Sequence, residues 1–134
     1  MNKSLLLKVT LIVTSVFFTH VASAYAKDCS VALASINQII TKANTALISN
    51  DFDQVSDIAN DLKNNAQLII NAADSCDCDN AYYTAEAIME NAEAVYLADD
   101  MEESVGFINL LKREANTTMI HAKSCGSVVT QTDI

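Results

Sequence analysis

Sliding this chain over itself by 49 residues lays 28–76 onto 77–125 without a gap, and both ends of the two units coincide. The identities are Asp28/Asp77, Cys29/Cys78, Ala32/Ala81, Ile39/Ile88, Ala43/Ala92, Asp51/Asp100, Asn60/Asn109, Leu62/Leu111, Lys63/Lys112, Ala66/Ala115, Ala73/Ala122, Ser75/Ser124 and Cys76/Cys125. An Ala- and Asn-rich chain matches itself at several positions by chance. Chance does not readily align all four cysteines at once. A fixed period of this length marks a repeated supersecondary unit, so whatever one copy folds into the other must also fold into. The expected organisation is therefore one helical domain over 25–134, with internal repeats 28–76 and 77–125.

Each unit reads as two helices. In the first, Cys29, Leu33, Ile36, Ile40, Ala43 and Leu47 recur at spacings of four and three, and Phe52, Val55, Ala59, Leu62, Ala66, Ile69, Ala73 and Cys76 continue the pattern. In the second, Cys78, Ala81, Ala85, Ile88, Ala92 and Val95 form one stripe, followed by Phe107, Ile108, Leu111, Ala115 and Ala122. Such spacing puts one apolar face on each helix, which must bury against a neighbour. No Pro and only 2 Gly interrupt the chain, which disfavours a turn-dense β architecture. Four helices with short connections alternate in direction. The expected fold is all-α: an up-down-up-down four-helix bundle of two duplicated, disulfide-stapled αα-hairpins.

That topology brings Cys29, Cys76, Cys78 and Cys125 to one end. Four cysteines allow three pairings. A crosslink inherited with an ancestral hairpin joins Cys29 to Cys76, and its copy joins Cys78 to Cys125. Pairing Cys76 with Cys78 would close a very small ring of poor geometry. Linking Cys29 to Cys78 and Cys76 to Cys125 has no meaning for a single hairpin. The competing chemistry is a metal site built from Cys76, Cys78, His121 and Cys125, since His121 and Cys125 share a helix face. A redox role for Cys76 and Cys78 lacks the two-residue spacing of thioredoxin-like sites.

The compartment decides between these readings. Residues 1–24 divide as a secretory signal does: Lys3 and Lys8 at the start, an apolar run over 9–18, and Ala22-Ser23-Ala24 as a small-residue cleavage pattern, with Ala24-Tyr25-Ala26 as a second candidate that would remove 1–26. The run is about half the roughly 20 apolar residues of a spanning helix, so no stable membrane insertion is expected after its removal. A periplasmic or secreted protein keeps an even set of cysteines as disulfides, not as thiolates for metal. No metal and no cofactor is expected.

Loss of Lys3 and Lys8 takes the net charge from -9 to -11. Affinity for nucleic acid rests on Lys and Arg against phosphate, so no nucleic-acid partner is expected. Acids gather between the helices of each unit, at Asp51, Asp53, Asp99, Asp100, Glu102 and Glu103. Asn50 with Asp53 and Asp99 with Glu102 have the spacing of helix-capping pairs, Asp28 and Asp77 can cap the other two helices, and Gly126 can end the last. The tail, 126–134, is expected to be loose. First-turn acids complement helix N-termini, which explains the cluster more simply than a Ca²⁺ site. Tyr82, Met89 and Tyr96 recur every seven residues beside the third stripe, as a core flank, a partner surface or a ligand or haem pocket. Ile39, Ile48, Leu68 and Ile70 lie outside the main seams, where they widen the buried stripe or form a surface for homodimerisation or partner docking. Asn116-Thr117-Thr118 has the form of a glycosylation sequon but falls within a helix.

No nucleophile elbow, phosphate loop or zincin helix occurs, and removal of 1–24 leaves His121 as the one histidine. The expectation is a non-enzymatic, exported binding protein with a protein partner of cationic character, of inhibitor, immunity or chaperone type. The alternative expectation is a bundle carrying a metal or small ligand at its Cys/His end.

Overall fold

The computed structural model describes residues 28–131, with side chains through 125; the segment read as a secretory signal falls outside the described residues. Four helices follow one another: α1 (Ser30–Ile48), α2 (Phe52–Ser75), α3 (Asp79–Leu97) and α4 (Met101–Gln131). Their starts repeat at the 49-residue offset, Ser30 with Asp79 and Phe52 with Met101, and so do the ends of α1 and α3. Each helix packs against its two neighbours in a closed ring. The α2–α3 seam is the most extensive and the α1–α4 seam the least, while α1 and α3 lie across the diagonal without touching. No helix of the described residues is long and apolar enough to cross a membrane.

Disulfides Cys29–Cys76 and Cys78–Cys125 staple the two hairpins at the same end, each across a sequence separation of 47. Between them the chain reverses through a Schellman turn. The Cys78 N–H donates to the Ala73 carbonyl at 2.9 Å and the Asp77 N–H to Asp74 at 3.2 Å. Asp77 occupies the left-handed position, φ 51°. It therefore ends α2 instead of capping α3, whose cap position is Cys78. Asp28, its counterpart one repeat earlier, sits just ahead of α1 and accepts from the Ser30 N–H at 2.8 Å and the Ser30 hydroxyl at 2.9 Å.

The caps of α2 and α4 fall one residue later than the spacing argument placed them. Asp51, not Asn50, caps α2, accepting from the Asp53 and Gln54 N–H groups. Asp100, not Asp99, caps α4, accepting from the Glu103 N–H at 2.8 Å, while the Glu103 carboxylate reaches back to the Asp99 N–H at 2.9 Å. Asp51 and Asp100 are the identical pair of the two repeats. α4 also continues through Gly126 to Gln131 instead of stopping there. A mid-helix Gly costs about 1 kcal/mol but does not by itself end a helix.

Every buried position of the second unit has a buried counterpart 49 residues earlier. The fully enclosed aliphatics are Ile36, Ile39, Val55, Leu62, Ile69, Ile88, Val95, Ile108 and Leu111, with Ala32, Ala43, Ala59, Ala66, Ala73, Ala81, Ala85, Ala92 and Ala115 between them. Alternating large and small side chains let the backbones approach closely while the interior stays filled. The stripe expected on α3 is the one that is buried. On α1 it is turned by one position: Ala32, Ile36, Ile39, Ala43 and Ala46 are enclosed, whereas Leu33, Ile40 and Leu47 are half-buried along the flank.

Two core positions of α4 are polar. Thr118, counterpart of Ile69, is fully buried, donating to the Glu114 carbonyl at 2.8 Å and lying 2.8 Å from the Thr84 hydroxyl of α3. Ser104, counterpart of Val55, is equally buried, and its hydroxyl has no hydrogen-bond partner. An unsatisfied buried hydroxyl costs roughly 1–3 kcal/mol. Ser104→Val restores the residue of the first repeat in the same environment, so it is expected to stabilise the fold by about 1–2 kcal/mol. Urea unfolding monitored by circular dichroism measures the shift in midpoint.

Candidate binding groove

The sequence drew attention to both ends of the bundle and to one flank of α3. At the cysteine end, all four sulfurs are consumed in disulfides, and no cysteine among the described residues is free. Cys76, Cys78 and Cys125 therefore supply no thiolates, and the alternative metal set they would form with His121 is corrected to two crosslinks and a half-buried histidine. Contact there is with backbone: the Cys78 Sγ lies 3.5 Å from the His121 carbonyl. Among the described residues no three His, Cys, Asp or Glu side chains converge to hold a metal.

At the opposite end, Asp99, Asp100, Glu102 and Glu103 border a wide-open concavity of about 420 Å³. Asp100 and Glu103 spend their carboxylates on the N–H groups that open α4. This is helix-end chemistry, in which negative charge compensates unpaired N–H donors.

The third place is a groove between α2 and α3 of about 380 Å³, lined by Gln67, Ile70, Tyr82, Glu86, Met89, Glu90 and Glu93. Helical periodicity builds it. Tyr82, Glu86, Met89 and Glu93 follow at spacings of four, three and four, so they form one row beside the buried stripe of α3. Facing them, Ile70 is nearly enclosed and supplies an apolar wall from α2. Tyr82 and Met89 are half-buried, and Tyr82 meets Tyr83 edge to face at 5.6 Å. Tyr96, expected to continue the row, does not line the groove and is 48% exposed.

Charge around the groove has one sign. α3 carries Asp79, Glu86, Glu90 and Glu93 and no Lys or Arg, and α2 carries Asp53, Asp57, Asp61 and Asp74 against Lys63. Lys63 answers Glu93 at 3.7 Å, and no Lys or Arg stands among the residues that line the groove with Glu86 and Glu90. By contrast α1 carries Lys42 and no acid, and the described part of α4 balances Glu102, Glu103 and Glu114 with Lys112, Arg113 and Lys123. An apolar floor of tyrosine, methionine and isoleucine under a rim of carboxylates suits an amphipathic cation. Methionine's flexible, polarisable chain adapts to varied apolar partners.

Spacing had marked Tyr82 and Met89 but passed over the three glutamates that give the groove its character. The available signal was the absence of any base on α3 in combination with glutamates at 86, 90 and 93. Compared with protein-family models, curated proteins and solved structures, the chain matches none.

Proposed function

We propose that this is an exported, non-catalytic binding protein that takes a cationic, partly apolar segment of another protein into the α2–α3 groove. The observation that carries the reading is the pairing of half-buried Tyr82 and Met89 with Glu86, Glu90 and Glu93 on a helix devoid of bases. Complementary charge accelerates encounter and selects against acidic partners, while the apolar anchors supply the dissociation barrier. Two disulfides and the signal-like segment at 1–24 support a periplasmic or secreted setting, where a crosslinked scaffold holds the groove ready. Neutralising a basic toxic enzyme and shielding a basic client are the two roles such a module serves.

An 18-residue amphipathic Lys/Leu helix serves as the probe, with its affinity read by titration calorimetry. Binding is expected in the micromolar range at low salt, falling at least tenfold between 50 and 300 mM NaCl as screening shortens the reach of the carboxylates. Glu86→Gln, Glu90→Gln and Glu93→Gln together are expected to weaken it a further tenfold or more, and Met89→Ala several-fold without changing the salt dependence. Equal affinity for the wild type and the triple variant would refute the groove as the site.

A further inference from the structure

We propose that two copies of this protein pair through the exposed face of α1, antiparallel about a two-fold axis at Thr41. The face is unlike the rest of the surface. Its exposed residues are Ser30, Val31, Ala34, Asn37, Gln38, Thr41, Asn44, Thr45 and Ile48, none of them charged. In a chain of net charge -9, every other described helix presents exposed acids. A two-fold contact sets identical patches against each other, so a charged patch meets its own sign. Among the described helices, α1 is the one on which two copies meet without facing carboxylates.

The chemistry of the face is also self-complementary. Asn37, Gln38 and Asn44 each carry donors and an acceptor, so one copy can satisfy the other. The Thr41 and Thr45 hydroxyls donate to the Asn37 and Thr41 carbonyls of their own helix, at 3.0 and 3.1 Å, and need no outside acceptor when water leaves. Apolar surface comes from Ile48, 81% exposed, and from Leu33, Ile40 and Leu47 on the flank opposite Lys42. Lys42 itself is turned to α2, 3.8 Å from Asp61.

Helical geometry sets the register. Ala34, Thr41 and Ile48 are seven apart and run down the middle of the face. With Thr41 on the axis, Ile48 of each copy lies over Ala34 of the other, and Gln38 lies opposite Asn44. The antiparallel arrangement also opposes the helix dipoles. A face about 28 Å long and about 12 Å wide, the breadth of one helix, covers roughly 700 Å² over both copies, below the usual size of a specific interface, which implies a weak, transient dimer. Because α3 lies diagonally across the bundle from α1, pairing leaves both α2–α3 grooves open.

The test is sedimentation equilibrium of the disulfide-bonded protein from about 1 to 200 µM. The wild type is expected to shift from monomer to dimer across that range. More salt should strengthen it, because two strongly acidic bodies repel; this is opposite in sign to the salt response expected of the groove. Thr41→Glu and Thr41→Lys each place like charges across the axis and should weaken the dimer at least tenfold, while an equimolar mixture of the two recovers it as a heterodimer. Ala34→Glu, away from the axis, should also give a monomer, and Glu90→Gln should leave pairing unchanged. Helical circular dichroism confirms that the variants fold. A wild type monomeric at 200 µM, a Thr41→Glu variant as dimeric as the wild type, or a mixture that stays monomeric would each overturn the proposal.

Discussion

Replacing Cys78 and Cys125 together by Ala is expected to lower the unfolding free energy by about 4 kcal/mol and the melting temperature by about 15–30 °C. Reopening a loop of separation 47 returns conformational freedom to the unfolded chain, and the chain-entropy relation sets the size of that change. Cys29→Ala with Cys76→Ala reopens a loop of the same separation and should cost nearly as much. Small domains hold only about 5–15 kcal/mol in total, so either pair alone should leave a folded but heat-sensitive bundle. Removing both should leave the chain largely unfolded at 37 °C. Differential scanning calorimetry under non-reducing conditions measures this, with intact mass confirming that the remaining disulfide has formed. A double variant that melts within 5 °C of the wild type would show that the hairpins are already as constrained without their staples.

Ile39→Ala is expected to destabilise the fold by about 2–5 kcal/mol, whereas Ile40→Ala costs about 1 kcal/mol or less. The two side chains are alike and adjacent, but Ile39 is fully enclosed in the bundle while Ile40 is half-buried on the flank. Truncating the first leaves a cavity among packed neighbours. Truncating the second mainly removes surface that water already reaches. Guanidinium unfolding of both variants, at constant denaturant slope, gives the difference directly. Similar costs for the two would place the α1 seam on the Leu33, Ile40 and Leu47 side after all. The pair also bears on self-association, since Ile40 belongs to the flank of the proposed dimer face and Ile39 does not.

These expectations trace what was legible in the residues. Periodicity found all four helices, and on α3 it found the buried stripe itself, Cys78, Ala81, Ala85, Ile88, Ala92 and Val95, with Tyr82, Met89 and Tyr96 beside it. On α1 it chose the neighbouring row instead. Ala32, Ile36, Ile39, Ala43 and Ala46 share the 3.5-residue period with Leu33, Ile36, Ile40, Ala43 and Leu47, and the second set is bulkier. Hydrophobicity favours the bulkier row; the packed bundle buries the smaller one. Moving the α3 stripe back by 49 residues picks the correct row, so the repeat held information that local hydrophobicity did not. Capping shows the same pattern. Asn50 and Asp99 satisfy a local rule, but Asp51 and Asp100, the pair identical between repeats, hold the N–H groups.

The groove was less legible. Tyr82 and Met89 stand out by spacing, but Gln67 and Ile70 join them only through the way α2 lies along α3. The two polar core residues were missed as well. Ser104 and Thr118 look like surface residues in a helical pattern, and only their correspondence with Val55 and Ile69 would have placed them inside.

The chain by itself determines an all-α, up-and-down arrangement with its four cysteines at one end. Helical period, short connections and the 49-residue repeat leave few other ways to bury the apolar faces, and the repeat points to the pairing of the cysteines. The local pattern of α1 leaves open which of its two adjacent rows faces inward, and the packed interior decides it. The interior has one volume to fill, already occupied by Leu62, Ile69, Ile88, Ile108 and Leu111 from the other helices. Beside those residues α1 contributes Ile36 and Ile39 among alanines, and Leu33, Ile40 and Leu47 are left to the flank. That rotation sets the charge-free row of α1 outward, just as the packing of α3 on α2 gathers Tyr82, Met89 and the glutamates along one groove.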